Sequence, residues 1–148
     1  LGLRWADVQG NTVNVRRSIN IHGEETQGKN QNAIRSFVLS GLARAVLEQQ
    51  REATGTRESV FEISSELYYW KRWQAYCKAN GIDRISVYEL RHTFVSVVKT
   101  LPEGEIKELV GHSQNMDTLG QYSHALTGDA ENTAQAVNAA FLKLLGNG

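Results

Sequence analysis

The sequence predicts an α+β fold that is mainly α-helical and carries one small antiparallel β-sheet near its start. Three observations lead to this prediction. β-Branched residues alternate in part with polar ones between residues 6 and 39, apolar residues recur at helical spacing after them, and serine, proline or glycine stands where helices should begin and end. The 148 residues suffice for a single domain with a hydrophobic core.

The predicted sheet occupies residues 12–39. Residues 6–21 are expected to form strands because of four β-branched positions: Val13, Val15, Ile19 and Ile21. Residues 22–32 are polar and contain two glycines, which predicts a turn region. Residues 33–39 return as a strand. Together they predict a β-hairpin or small antiparallel sheet with a long polar tip.

A helix capped by Ser40 is predicted over residues 41–53, because a serine before a periodic apolar segment typically begins a helix. Its apolar face is expected to hold Leu42, Val46 and Leu47. A short extended piece is expected over residues 60–63.

A second helix should begin at Ser64 or Ser65, run to Asn80 and stop at Gly81. It carries an aromatic stripe at helical spacing: Tyr69, Trp70, Trp73 and Tyr76. Such a stripe more often belongs to a core than to a platform on which bases stack, so we expect core packing.

Three further helices are predicted before the last one. Ser86 caps a helix over residues 87–99, and Pro102 begins another that ends at Gly111. A short helix is expected around residues 116–122.

A linker is predicted over residues 125–129, before the last helix. That helix spans residues 129–145, with an apolar side made of Ala136, Val137, Ala140, Phe141, Leu144 and Leu145.

Charge and cysteine content limit the classes of function. The chain has 16 basic and 16 acidic side chains, which argues against a protein that holds nucleic acid by bulk positive charge alone. Residues 1–57 carry eight basic against five acidic side chains, so DNA contacts are expected mainly there. Cys77 is the single cysteine, which excludes an internal disulfide and favours a cytoplasmic setting. No apolar run approaches the roughly 20 residues of a membrane span.

Four motifs carry candidate chemistry, and each has a plainer reading. Arg91 lies one helical turn after Tyr88, so both can face an anion such as phosphate, or Arg91 can simply pair with a carboxylate. His112 follows Gly111 and is either a hydrogen-bond donor or a helix C-cap. Tyr122 is either a nucleophile or a core tyrosine. Lys29, at the hairpin tip, is either a catalytic cation or merely solvated.

In combination the motifs resemble the tyrosine recombinases, the family of phage and conjugative-element integrases and chromosome-dimer resolvases. The resemblance rests on YELRHTF at residues 88–94, LVGHS at 109–113, a tyrosine ten residues after the histidine, and GKNQNAIRSFVLS at 28–40. It covers essentially the whole chain, in the expected order. It implies a tyrosine recombinase catalytic-domain fold over residues 1–148.

The resemblance also implies roles. Tyr122 would attack the scissile phosphate and form a 3′-phosphotyrosine bond, which would make the protein an enzyme that recombines DNA without ATP. Arg91 and His112 would hold the phosphate oxygens, and Lys29 would protonate the leaving 5′-oxygen. His92 and His124 are expected to be structural. No cofactor or metal ion is implied.

Two departures from the family pattern stand out. Tyr88 replaces the usual histidine, and a phenol with a pKa near 10 is a poor base at neutral pH, so a tuning role is expected. The first catalytic arginine should precede Leu1, so the chain is interpreted as a catalytic domain truncated at its N-terminus. The loss of one such donor lowers rates by about 10²–10³, so the fragment alone should be inactive.

The expected partner is a double-stranded DNA attachment site of a phage or other mobile element, bound by a tetramer of the full-length protein, with no role for a membrane. Residues 129–145 are expected either to dock on a neighbouring protomer or to pack on their own core. The alternatives are a housekeeping resolvase of the same family and a catalytically silent DNA-binding or assembly module. A metal hydrolase is disfavoured, since the four histidines show no helix-spaced ligand pair.

Overall fold

The computed structural model describes residues 2–20, 22–26, 34–63, 65–83, 85–111 and 127–146. Within these ranges the chain is an α+β protein, as predicted, with short antiparallel strands followed by α-helices. The strands are β1 (Val8–Gln9), β2 (Thr12–Val15), β3 (Ser18–Ile19), β4 (Glu25–Thr26) and β5 (Arg35–Val38). The helices are α1 (Gly41–Thr54), α2 (Glu66–Ala79), α3 (Val87–Val97), α4 (Glu103–Val110) and α5 (Thr127–Gly146).

The strands form two separate sheets. One has three antiparallel strands in the order β1-β2-β5, with Val13 opposite both Val8 and Phe37. The other is a two-stranded ribbon in which Ser18 of β3 lies opposite Thr26 of β4. The turn predicted over residues 22–32 is therefore wrong at Glu25 and Thr26. The polar local sequence does not predict a strand here, and the strand forms because its backbone groups pair with those of β3.

Helix starts agree with the predictions wherever a side chain caps the backbone. Ser40 accepts a hydrogen bond from the backbone N–H of Ala43, and Ser65 accepts one from that of Tyr68. Gly81 has a φ of 63° directly after the Asn80 cap, which ends α2 as expected. α3 stops at Val97, two residues short of the predicted end.

The predicted linker over residues 125–129 is wrong from Thr127 onward, because α5 already begins there. Its middle portion contributes to the core, where Ala134 and Val137 are buried and the ring of Phe141 stacks on that of Phe94 with centroids 6.0 Å apart. The side-chain oxygen of Asn138 accepts from the backbone N–H of Leu42 at 2.9 Å, which fixes α5 to the start of α1. This part of α5 therefore packs on its own chain.

The core is small and rich in valine. Its buried apolar residues come from β2, from the segments after α1 and α3, and from α2, α4 and α5: Val13, Val60, Cys77, Val98, Val110, Ala134 and Val137. Val46 is 61% exposed, so its predicted place on a buried face is wrong. Leu144 and Leu145 are exposed too, and so is Ala136, because Ala134 instead takes the buried position on α5.

The aromatic stripe of α2 is half-buried rather than core. Tyr69, Trp70 and Trp73 are partly covered, while Tyr76 is exposed and stacks on Trp73 with ring centroids 5.9 Å apart. The indole N–H of Trp73 donates to the carbonyl of Ile85 and joins α2 to the segment before α3. None of the helices in the described ranges has the length and hydropathy needed to span a bilayer.

Candidate functional site

Two of the five predicted site residues lie in the described part of the chain. Tyr88 and Arg91 stand on the first turns of α3. Lys29, His112 and Tyr122 lie outside the described residues, as does the helix predicted around residues 116–122. The site is therefore built from the elements that carry Tyr88 and Arg91 and from those that lead to the other three residues.

The start of α3 is fixed by a capping box. The Ser86 hydroxyl accepts from the backbone N–H of Glu89 at 3.3 Å, and the Glu89 carboxylate accepts from the backbone N–H of Ser86. These hydrogen bonds from Ser86 lower the pKa of Glu89, so this side chain remains a carboxylate at neutral pH. The first turn of α3 is thus held in place before any ligand binds.

Tyr88 projects from this turn and is 63% exposed. Its ring meets that of His92, one turn later, edge-on at a centroid distance of 5.1 Å. His92 is thereby in the packing role expected for it. An exposed phenol on a rigid turn can donate a hydrogen bond to a ligand oxygen, which suits a tuning role.

Arg91 is partly buried on the same helix. Within the described ranges, no carboxylate lies close enough to form a salt bridge with it, so the plainer reading of an Arg–carboxylate pair finds no support there. The charge of Arg91 is instead felt by a second cation, Arg35 of β5.

Arg35 is the residue that sequence reasoning missed. It is half-buried, and its Nε donates to the carbonyl of Leu109, in the last turn of α4, at 3.2 Å. Burial and the neighbouring charge of Arg91 lower its pKa, yet an arginine stays charged at any physiological pH. A signal was present, since Arg35 belongs to the quoted motif at residues 28–40 and begins the strand after Lys29.

Arg35 and Arg91 come from different elements, and the positive charge of Arg91 contributes to the lowered pKa of Arg35. Planar guanidinium groups match the oxygen geometry of phosphate and carboxylate. Arg91, which forms no salt bridge within the described ranges, can therefore bind an anion such as phosphate.

The end of α4 has the geometry that the sequence predicted. Gly111 adopts a φ of 68° and its N–H donates to the carbonyl of Glu108 at 3.2 Å, which closes the helix. His112 is the next residue in the chain. The contact of Arg35 with Leu109 thus lies three residues before His112.

An ion-pair network centred on the buried Asp7 supports the ribbon that precedes Lys29. Arg17 donates to Asp7 at 2.5 and 3.2 Å and to Glu25 of β4 at 3.1 Å, while Arg4 reaches Glu25 at 2.6 Å. Burial would raise the pKa of Asp7, but the backbone N–H of Arg4 and the guanidinium of Arg17 outweigh it, so the pKa is lowered. The pKa of Arg17 is raised by the same contact with Asp7. The network holds β4, three residues before Lys29, against the N-terminal segment.

In the described part of the chain, no group of three or more histidine, cysteine, aspartate or glutamate side chains is arranged to hold a metal ion.

Comparisons with known proteins give no match for this chain. No protein-family model matches the chain, and neither a curated protein nor a solved structure is significantly similar to it.

Proposed function

We propose that this chain is the catalytic domain of a site-specific tyrosine recombinase that cuts and rejoins double-stranded DNA for the integration or excision of a mobile element. One observation supports the proposal beyond the motifs: Arg91 is partly buried on the first turns of α3, and within the described ranges no carboxylate forms a salt bridge with it. The scissile phosphodiester of DNA is an anion of the class that such a guanidinium group would hold.

The order of the elements supports the assignment of roles. β5 follows the segment that contains Lys29, and α4 ends one residue before His112. The contact between Arg35 and Leu109 therefore joins the two stretches of chain that deliver these residues.

The proposed reaction is a transesterification. The phenolate oxygen of Tyr122 attacks the phosphorus, the bond from phosphorus to the 5′-oxygen breaks, and Lys29 gives that oxygen a proton. Arg91 and His112 stabilise the added negative charge of the pentacoordinate state. The 3′-phosphotyrosine bond conserves the phosphodiester energy, so a 5′-hydroxyl from a partner strand can reverse the step and complete strand exchange.

The test uses the protein encoded by the complete open reading frame, so that any upstream arginine is included. It is incubated with a nicked duplex that carries the attachment site, and covalent protein–DNA adducts are separated on a denaturing gel. We expect an adduct in the wild type and none in Tyr122→Phe. Tyr76→Phe is the matched control, because Tyr76 is an exposed tyrosine on α2, and it should retain the adduct.

Each outcome separates the candidate functions. Loss of the adduct in Tyr122→Phe alone identifies the nucleophile and the recombinase mechanism together. If the adduct persists in Tyr122→Phe, Tyr122 is not the nucleophile. DNA binding without any adduct refutes the catalytic proposal and favours a silent DNA-binding or assembly module, for which the Tyr88 replacement is the structural argument.

A further inference from the structure

A groove of about 970 Å³ runs between β5, α4 and α5. It does not include Arg35 or Arg91. Its floor is apolar, with Phe37, Leu101, Ala136 and Ala140 among the lining residues. Three consecutive residues of β5, from Ser36 to Val38, form one of its walls.

β5 presents an open edge to this groove. Among the strands of the described ranges, it is the terminal strand of its sheet and pairs with β2 alone. The backbone N–H of Leu39 donates to the carbonyl of Asn11, and hydrogen-bonded pairs alternate along antiparallel strands, so Phe37 also bonds to β2. The N–H and C=O groups of Ser36 and Val38 therefore point away from β2. Among the described residues no hydrogen bond to these four groups is found, which leaves a template for an added strand.

The charge of the lining is mainly negative. Among the described residues that line the groove, Glu105 and Asp129 contribute carboxylates and Lys143 contributes an ammonium group. The Glu105 carboxylate accepts from the hydroxyl of Thr133 at 2.6 Å, which joins α4 to α5 across the groove. A ligand that fills the groove must therefore combine apolar side chains with positive charge.

We propose that this groove binds an extended, positively charged peptide segment of a partner protein, which adds a strand to the edge of β5. Its backbone pairs with Ser36 and Val38, its apolar side chains cover the alanines of α5, and its lysine or arginine side chains reach the carboxylates. This recognition mode takes affinity from backbone hydrogen bonds and specificity from alternate side chains. It does not depend on the recombinase activity, because it uses none of the residues assigned to that site.

The probe is a fluorescein-labelled, capped hexapeptide of alternating lysine and valine, titrated with the 148-residue chain and followed by fluorescence polarisation. We expect saturable binding. The corresponding peptide of alternating glutamate and valine, and a lysine–valine peptide N-methylated at alternate residues, should each bind at least about tenfold more weakly. A tenfold loss corresponds to one or two backbone hydrogen bonds or one unfavourable charge contact.

Two variants locate the binding. Ala136→Trp fills the groove at an exposed position and should abolish binding, while Ala45→Trp, at an exposed alanine of α1 outside the groove, should not change it. Glu105→Gln combined with Asp129→Asn keeps the hydrogen-bonding oxygens. It should weaken the lysine–valine peptide and reduce the salt dependence of its binding.

Three results would overturn the proposal. The lysine–valine peptide could fail to saturate at millimolar concentration, or it could bind Ala136→Trp as tightly as the wild type. Alternatively, the chain could dimerise in sedimentation experiments, become monomeric in Ala136→Trp and exclude the peptide, which would make a second copy of the chain the occupant.

Discussion

The buried pair of Asp7 and Arg17 gives the sharpest prediction for stability. The Asp7 side chain is 2% exposed and accepts three hydrogen bonds, two from Arg17 and one from the backbone N–H of Arg4. Removing one partner of a buried ion pair typically costs about 3–5 kcal/mol. Arg17 is 14% exposed and keeps Glu25 as a partner, so Asp7→Ala should cost about 3 kcal/mol, at the low end of that range.

This loss can be measured by thermal denaturation followed by circular dichroism. For a domain of this size 1 kcal/mol shifts the Tm by about 2–4 °C, so Asp7→Ala should lower it by about 6–12 °C. Glu58→Gln is the control, because the Arg4–Glu58 pair is on the surface, with the Glu58 side chain 73% exposed. Its effect should be under about 1 kcal/mol. A shift in Asp7→Ala no larger than that of the control would refute the reasoning.

The same pair sets a pH dependence whose sign follows from the lowered pKa of Asp7. The unfolded chain, with an aspartate pKa of about 3.9, binds the proton more readily than the folded chain. The stabilisation is therefore fully present above the unfolded pKa and is lost as the pH falls through the folded pKa. Between about pH 5 and pH 3 the wild type should lose more stability than Asp7→Asn does, and parallel curves would contradict the prediction.

Three further substitutions test the site and its supports. Arg35→Gln should lower the free energy of unfolding by about 1–2 kcal/mol, since a buried hydrogen bond to the end of α4 is lost, whereas the exposed Arg44→Gln should change it little in the same chemical denaturation. Arg91→Gln should leave stability unchanged or slightly higher, since it removes a positive charge that acts on Arg35. The same substitution should weaken duplex DNA binding and reduce the salt dependence of that binding. Undiminished DNA binding in a filter assay would exclude Arg91 from the phosphate site. Gly111→Ala should cost about 1–2 kcal/mol because φ is 68°, and an unchanged urea midpoint would disprove that strain.

Local chemistry explains which predictions from the sequence agree with the structure. A capping serine satisfies backbone N–H groups two or three residues away, so Ser40, Ser65 and Ser86 begin helices whatever surrounds them. A glycine with positive φ ends a helix by the same short-range logic, as Gly81 and Gly111 do. The catalytic roles of Lys29, His112 and Tyr122 stay predictions, because those residues lie outside the described ranges.

Predictions about faces and neighbours needed information that no local pattern contains. Val46 and Ala136 have the spacing of a buried stripe, yet both are exposed. β4 forms in a polar segment because β3 offers it a partner, and the pairing joins residues six and eight positions apart across a turn.

The sequence by itself determined the fold class, the helix starts and the resemblance on which the proposed chemistry rests, since each depends on residues close together in the chain. Only the tertiary structure decided that Arg35 of β5 donates a hydrogen bond to the end of α4 and that the charge of Arg91 on α3 acts on Arg35. Those interactions join positions 74 and 56 residues apart. The geometry of these interactions depends on how the sheet and the helices pack against one another. Periodicity along the chain describes only neighbours within one helix or strand, so it does not predict this packing.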